Sequence, residues 1–200
     1  MTDTEPKAIP RHLTTVFLDR DGVLNQKMPE GQYVTSWTSF HIIPGVPEAI
    51  ARLNQAGLRV IVLSNQRGIA LGLYTATDVE SIHSKFQQVL GTHGAHIDAF
   101  FFCPHDHGQC NCRKPLPGLF EQAVAQFPTI TAASSVMIGD SHVDIDFARR
   151  LGMTAILIDN NPQQESAQQS ADLSFSSLPE AVDALMRRSA NSPQTNSPQN

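Results

Sequence analysis

The apolar positions of the chain fall into two alternating rhythms. Residues 14–22 (TTVFLDRDG) hold a short unbroken apolar run that ends in a polar cluster and a glycine. Such a run, closed by a turn residue, predicts a strand covered on both faces. Residues 46–57 (VPEAIARLNQAG) instead place apolar side chains at helical spacing, with Pro47 near the start and Gly57 as the stop. The alternation then repeats. LRVIVLSNQ (58–66) reads as a second strand, and 75–94 as a longer amphipathic helix with Val79, Ile82, Phe86, Val89 and Leu90 on one face. IDAFFFC (97–103) predicts a third strand and 117–127, led by Pro117, a helix. A strand at 134–140, a helix at 142–152, a fifth strand at 154–159 and a last helix at 178–188 complete the pattern. Strands alternating with helices predict a doubly wound α/β domain: a mainly parallel sheet covered on both faces and joined by right-handed crossovers. No insertion of the size of a large cap domain separates these elements.

The ends of the chain change character. Residues 1–12 are a polar lead with two acids and two prolines, unlike a secretory signal. Residues 160–171 are rich in Gln and Asn, and 189–200 contain the word NSPQ twice without core-forming residues. The expectation is one folded domain over 13–188 followed by a disordered tail. No apolar run approaches the roughly 20 residues of a membrane span, so the cytoplasm is the expected location and a monomer the expected state.

Composition narrows the possible partners. Charged residues are only 16% of the 200, with 14 Lys+Arg against 19 Asp+Glu and a net charge of -5. That balance argues against a general nucleic-acid binder. An anionic substrate is still compatible with it, provided that positive charge is concentrated locally. The three cysteines, Cys103, Cys110 and Cys112, lie within ten residues. An odd and tightly clustered set suits a metal site better than a disulfide framework.

Ligands of a doubly wound sheet gather beyond the carboxyl ends of its strands. The first predicted strand ends in Asp19-Arg20-Asp21-Gly22, the second in Ser64-Asn65-Gln66, and the fourth in Gly139-Asp140, with Asp144 close behind. Taken alone, Asp19 and Asp21 read equally well as a simple Asx turn. Carboxylates brought to one sheet edge repel each other unless a cation sits among them, and Mg²⁺ prefers a few carboxylate oxygens with water and phosphate completing its shell. An Asp also serves as a nucleophile on phosphorus.

In this order, FLDRDG (17–22), LSNQ (63–66), CRKP (112–115) and IGDSHVD (138–144) resemble the four motifs of the haloacid dehalogenase (HAD) superfamily of phosphotransferases. The resemblance implies a HAD-like fold in which Asp19 attacks phosphorus. Asp21 first protonates the leaving oxygen and then activates the water that hydrolyses the aspartyl-phosphate. Ser64 holds the transferring phosphoryl, and Lys114 offsets its charge. Mg²⁺ is implied at Asp19, the carbonyl of Asp21, and Asp140. For Asp144 two readings stay open, a partner of that metal site or an exposed acid in the first turn of a helix.

The segment CPHDHGQCNC spaces Cys103, His105, Cys110 and Cys112 as three thiolates and one imidazole, a donor set for a tetrahedral structural Zn²⁺. His107 is the alternative to His105. The loop runs directly into Arg113 and Lys114, so a metal there would position basic residues without joining the chemistry. His93 and His96 lack comparable partners and read as surface residues.

The zinc loop, DRDGVLN with Asn25, the segment 31–45 and SNQRGIALG are similar to the D-glycero-D-manno-heptose 1,7-bisphosphate 7-phosphatases, with the histidinol-phosphate phosphatases as the second family of this type. The implied substrate is a small phosphorylated sugar. Asn25, Asn65, Arg67 and Arg113 are its expected binding residues, the two arginines for a second phosphate; for Arg67 a plain surface position is the alternative. The short zinc loop and Ser141 depart from the heptose pattern. A zinc-stabilised scaffold without catalysis is the third reading, and the presence of both Asp19 and Asp21 speaks against it.

Overall fold

Alternation inside each strand decides which layer every side chain joins. In β1 (Thr15–Leu18) of the computed structural model, Val16 and Leu18 point to one face of the sheet and Phe17 to the other, all fully buried. The structure describes residues 8–159, 167 and 170–190. Its remaining strands are β2 (Arg59–Asn65), β3 (Ala99–Cys103), β4 (Ser135–Gly139), β5 (Thr154–Ile158) and β6 (Leu173–Phe175). They form one sheet in the order β3-β2-β1-β4-β5-β6, and every pairing is parallel. In register, Phe17 lies beside Ile61 and Met137.

Among the described residues, the helices that cover the two faces are α1 (Val46–Gln55), α2 (Ala76–Thr92), α3 (Gly118–Gln126), α4 (His142–Leu151) and α5 (Leu178–Ala190). Ile50, Phe86 and Val182, from α1, α2 and α5, pack with Val16, Val62 and Ile138 on one face; Leu119 and Phe147, from α3 and α4, pack with Phe17, Leu63 and Met137 on the other. Helix α2 starts at a capping box, in which Thr75 Oγ1 accepts from the Asp78 N–H and the Thr75 N–H donates to Asp78 Oδ2. Its buried face holds Val79, Ile82, His83, Phe86 and Leu90, while Val89 is half-buried.

The doubly wound α/β expectation matches this architecture, with two differences. A sixth strand extends the edge: Leu173 and Phe175 are only half-buried and the strand is three residues long, too short for a legible pattern. At the other end Ile9 is buried and the carbonyl of Ala8 accepts a bond from Thr154, so the last residues of the polar lead pack on the domain. The tail at 191–200 lies outside the described residues. No helix among the described residues is long and apolar enough to cross a membrane.

Strand order reverses between β1 and β4, because the chain leaves β1 toward β2 and β3 and then returns to β1's other side. The crevice at that switch, beyond the carboxyl ends of β1 and β4, is where an open α/β sheet accepts ligands.

Candidate active site

Residues from four separate strand ends and loops meet at the switch. Asp19 follows β1, and its N–H still pairs with the Ile138 carbonyl of β4, which fixes the carboxylate at the crevice. The chain then turns tightly through 20–25, with the N–H groups of Leu24 and Asn25 returning to the Arg20 carbonyl. Gly22 sits at φ +90°, and a Cβ there would stand 2.2 Å from Asp140 Oδ2. Only glycine permits both that backbone and that approach.

Lys114 is the hub of the site. Its side chain is 2% exposed, and Nζ donates to Asp19 Oδ1 at 2.8 Å, Asp144 Oδ1 at 2.7 Å and the Leu63 carbonyl at 2.6 Å. All three ammonium donors are thereby used. Asn65 brackets the same lysine, since Oδ1 accepts from the Lys114 N–H and Nδ2 donates to the Lys114 carbonyl, both at 3.0 Å. Asp144 is not the exposed helix acid: it is buried, bound to Lys114 and accepting from Ser141 Oγ at 2.6 Å.

Asp21 faces a different set of partners. Arg20, itself buried, donates through Nε and Nη2, Asn25 Nδ2 donates at 2.9 Å, and Gln66 Nε2 donates at 3.2 Å. Burial alone would raise this carboxyl, but the Arg20 charge and the bonds from Asn25 and Gln66 outweigh it and hold Asp21 below the usual carboxylate range. Asp19 behaves oppositely. Burial pushes it up to about 7 despite Lys114, and Asp144, Asp140 and Asp21 push the same way. Two carboxylates two residues apart therefore differ in proton affinity, because burial dominates at Asp19 and the Arg20 charge and donated hydrogen bonds dominate at Asp21.

Oxygens of Asp19, Asp140 and Asp144 lie within 4.8 Å of one another. Burial and Asp144 also raise Asp140, against the pull of Lys27. Such a cluster fits a hard divalent cation, which would return both raised carboxyls to their ionised form. Asp19 and Asp140 are the residues to hold it, as Asp144 is occupied by Lys114 and Ser141.

Two cavities of about 240 Å³ each open here. The first is lined by Asp19, Asp21, Ser64, Asn65, Arg113, Lys114 and Asp140. The second lies under the loop that follows Asn25, and is lined by Asp21, Gln32, Tyr33, Asn65, Gln66 and Tyr74 among others. Ser64 Oγ accepts from Gln66 Nε2 at 2.6 Å, and Gln66 Oε1 accepts from Tyr74 at 2.7 Å.

Two expected substrate contacts are placed elsewhere. Asn25 is fully buried and lines neither cavity, its amide holding Asp21 and the Gln26 carbonyl. Arg67 also lines neither; its guanidinium is bidentate on Asp106, at 2.6 and 3.2 Å, which ties the loop after β2 to the cysteine loop. Arg113 does line the catalytic cavity, with Nη1 buried and unpaired and Nη2 3.5 Å from His107 Nε2. Sequence reasoning missed Gln66 and Lys27. Gln66 carried a signal in its place two residues after Ser64 at a strand end; Lys27 carried none.

The cysteine loop closes into a second donor set. Cys103 Sγ stands 3.1 Å from Cys112 Sγ and 3.5 Å from Cys110 Sγ, and His105 Nδ1 lies 3.3 Å from Cys112 Sγ and 3.7 Å from Cys103 Sγ. These sulfurs are too far apart for disulfides, which need about 2.05 Å. Four donors bound to zinc at about 2.0–2.3 Å stand roughly 3.3–3.8 Å from each other, so the set fits a tetrahedral ion. His105 rather than His107 belongs to it.

Fold and site together define a phosphatase built on a HAD-like sheet, with Asp19 after β1 and Lys114 before α3. The HAD-hydrolase-like family model matches residues 111–181. Over 145 residues the chain is 38% identical to D-glycero-alpha-D-manno-heptose-1,7-bisphosphate 7-phosphatase of Mycobacterium tuberculosis, covering 72% of this chain and 76% of that protein. The D-glycero-beta-D-manno-heptose-1,7-bisphosphate 7-phosphatase of Bordetella bronchiseptica is also 38% identical, over 72% of this chain and 79% of its own. A crystal structure of D,D-heptose 1,7-bisphosphate phosphatase from B. bronchiseptica, complexed with magnesium and phosphate, matches with a TM-score of 0.79 and 32% identity, covering 88% of this chain and 99% of that one. The chain belongs to the heptose-1,7-bisphosphate 7-phosphatase family of HAD-like hydrolases.

Proposed function

We propose that this enzyme removes the C7 phosphate of D-glycero-D-manno-heptose 1,7-bisphosphate through an aspartyl-phosphate on Asp19, acting as a cytoplasmic monomer. The observation that carries the reading is the pairing of Asp19 with the buried Lys114 at the floor of a cavity also lined by Asp21, Ser64 and Asp140. Asp19 presents its carboxylate to phosphorus, and Lys114 balances charge on the phosphoryl and on Asp144 together. Ser64 and the N–H groups at the end of β2 bind phosphoryl oxygens. Asp21 is held ionised in the free enzyme; a phosphate dianion brought against it raises its proton affinity, so that it takes up a proton from solvent as the substrate binds and passes it to the leaving oxygen. The same carboxylate then accepts a proton from the water that attacks the aspartyl-phosphate.

Asp19, the Asp21 carbonyl and Asp140 would hold Mg²⁺, which would supply charge neutralisation and orientation of the phosphoryl group. Zn²⁺ at Cys103, His105, Cys110 and Cys112 has a structural role, and its free thiols fit a reducing compartment. Phosphate release from heptose 1,7-bisphosphate with Mg²⁺, set beside histidinol phosphate, tests the reading. The bisphosphate is expected to be strongly preferred and Asp19→Asn to be inactive. Preference for histidinol phosphate overturns the substrate; an active Asp19→Asn enzyme overturns the nucleophile.

A further inference from the structure

Lys27 stands on the loop after β1, and its Nζ lies 2.6 Å from Asp140 Oδ2. The two ends of this pair differ in exposure: the lysine side chain is 53% exposed and the aspartate 8%. Lys27 also lines both cavities, the catalytic one and the one beneath the 28–34 loop. We propose that Lys27 is a specificity-determining residue with two positions: it neutralises Asp140 until a divalent cation takes that carboxylate, and then holds a second anionic group of the substrate in the adjoining cavity. The proposal rests on the reading of the substrate as a sugar bisphosphate.

The other cations of the site are either paired or confined to one cavity. Lys114 has given its three donors to Asp19, Asp144 and the Leu63 carbonyl. Arg20 is buried against Asp21, and Arg67 is bidentate on Asp106 outside both cavities. Arg113 reaches the catalytic cavity only. Besides Arg20, which is paired with Asp21, the adjoining cavity offers neutral polar groups, Gln32, Tyr33, Asn65, Gln66 and Tyr74, and two acids, Asp21 and Glu30. Among the described residues lining the adjoining cavity, Lys27 is thus the one cation whose carboxylate partner a metal ion would take, which frees it to meet an anion there.

Its release has a physical cause. Asp140 is one of the clustered carboxylates that fit a hard dication, and a dication on Oδ2 repels an ammonium on the same oxygen. Four carboxylates, Asp19, Asp21, Asp140 and Asp144, face four cations, Lys114, Arg20, Arg113 and Lys27. A dication leaves the crevice with a net positive charge, and the flexible exposed stem of Lys27 lets its amine turn to the neighbouring cavity without leaving the site. Metal and the second anion are then linked, each favouring the other's binding.

Wild type, Lys27→Met and Lys27→Arg separate the two halves. Titration calorimetry with Mg²⁺ alone, without substrate, is expected to show Lys27→Met binding the ion about tenfold more tightly, because no ammonium competes. At saturating Mg²⁺, Lys27→Met is expected to raise KM for heptose 1,7-bisphosphate about tenfold while moving KM for p-nitrophenyl phosphate less than about twofold, and Lys27→Arg to keep most of the discrimination. Unchanged Mg²⁺ affinity, or equal shifts for both substrates, overturns the proposal. If the wild type does not hydrolyse the heptose compound, the substrate reading fails by itself. Lys27 is then judged on inhibition of p-nitrophenyl phosphate turnover by fructose 1,6-bisphosphate against fructose 6-phosphate. A wild-type preference for the bisphosphate that Lys27→Met abolishes supports the proposal, and any other outcome overturns it.

Discussion

Replacing Lys114 by Met deletes one ammonium from between Asp19 and Asp144 and keeps most of the side-chain volume. Breaking a buried ion pair from one side costs about 3–5 kcal/mol, because a charge stays behind without its partner. The structure says which charge. Asp19 is pushed up to about 7 even beside Lys114, so at neutral pH it sheds its charge at little cost. Asp144 is 2% exposed, and after the loss of Lys114 it keeps only the Ser141 hydroxyl. Its escape is to take up a proton, which for an aspartate with an unfolded reference near 3.9 costs about 4 kcal/mol at pH 7 and about 1.5 kcal/mol at pH 5. The destabilisation of Lys114→Met is therefore capped near 4 kcal/mol at pH 7 and shrinks by roughly 2–3 kcal/mol on acidification to pH 5. Urea unfolding at both pH values measures it, without added Mg²⁺ and without chelator. Adding Asp144→Asn removes the stranded charge, so the double variant should be more stable than the sum of the singles by about 2 kcal/mol. Turnover should fall at least about 100-fold. A loss below about 1 kcal/mol, a loss that does not change with pH, or strict additivity refutes this account of the hub.

Two other predictions concern stability. His83 is buried between α2 and β3, stacked on Phe100 at 4.3 Å, and burial together with Arg20 pushes its pKa down to about 3. Since the unfolded imidazole binds a proton below about 6.5 and the folded one does not until about 3, stability is full above pH 6.5 and drains as pH falls through that window, by about 2 kcal/mol at pH 5. His83→Phe should lose this acid sensitivity in urea titrations at pH 7.5 and 5, whereas parallel pH slopes in the two proteins would contradict it. For the cysteine loop, protein purified without chelators should contain about one zinc per chain, and either a strong chelator or Cys112→Ser should lower Tm by on the order of 10 °C. Zinc-free protein of unchanged Tm would remove the structural metal.

Legibility in the sequence followed chemical rarity. Strands β1 to β5 were readable because each is an unbroken apolar run that stops at polar residues, and the same stops exposed Asp19, Ser64 and Asp140 as strand-end groups. Strand β6 escaped because three half-buried residues make no period. Lys27 escaped for a different reason: an exposed lysine in a loop is ordinary, and only the fold brings it to a carboxylate 113 residues away. Arg67 shows the converse. A guanidinium near the active loops invited a phosphate, but Asp106, 39 residues on, had already matched its fork. Long-range pairing is invisible to local pattern, so the residues of the site that act through other residues, Asn25, Asn65 and Gln66, needed coordinates to reveal their roles.

The place of the cysteine loop follows from what the buried position of Lys114 requires. Lys114 must hold Nζ to within a few tenths of an ångström of three acceptors, yet it hangs at the end of a segment with almost no core. Between Cys103 and Lys114 the one buried residue is Cys112. Ordering ten residues costs on the order of 10–20 kcal/mol in backbone entropy, and one buried thiol offsets about 1–2 kcal/mol of that. Turn hydrogen bonds and the Arg67–Asp106 pair, half-exposed at 39% and 26%, add little more. A four-ligand zinc site, worth about 10–16 kcal/mol, is the term of the right size. It would clamp both ends of the loop, since Cys103 closes β3 and Cys112 precedes Arg113 directly. The Asn65 amide then carries the remaining step, fixing the Lys114 backbone to the end of β2. On this argument Asn65→Ala loosens the catalytic lysine even in the zinc-loaded protein, and loss of zinc loosens it even with Asn65 intact.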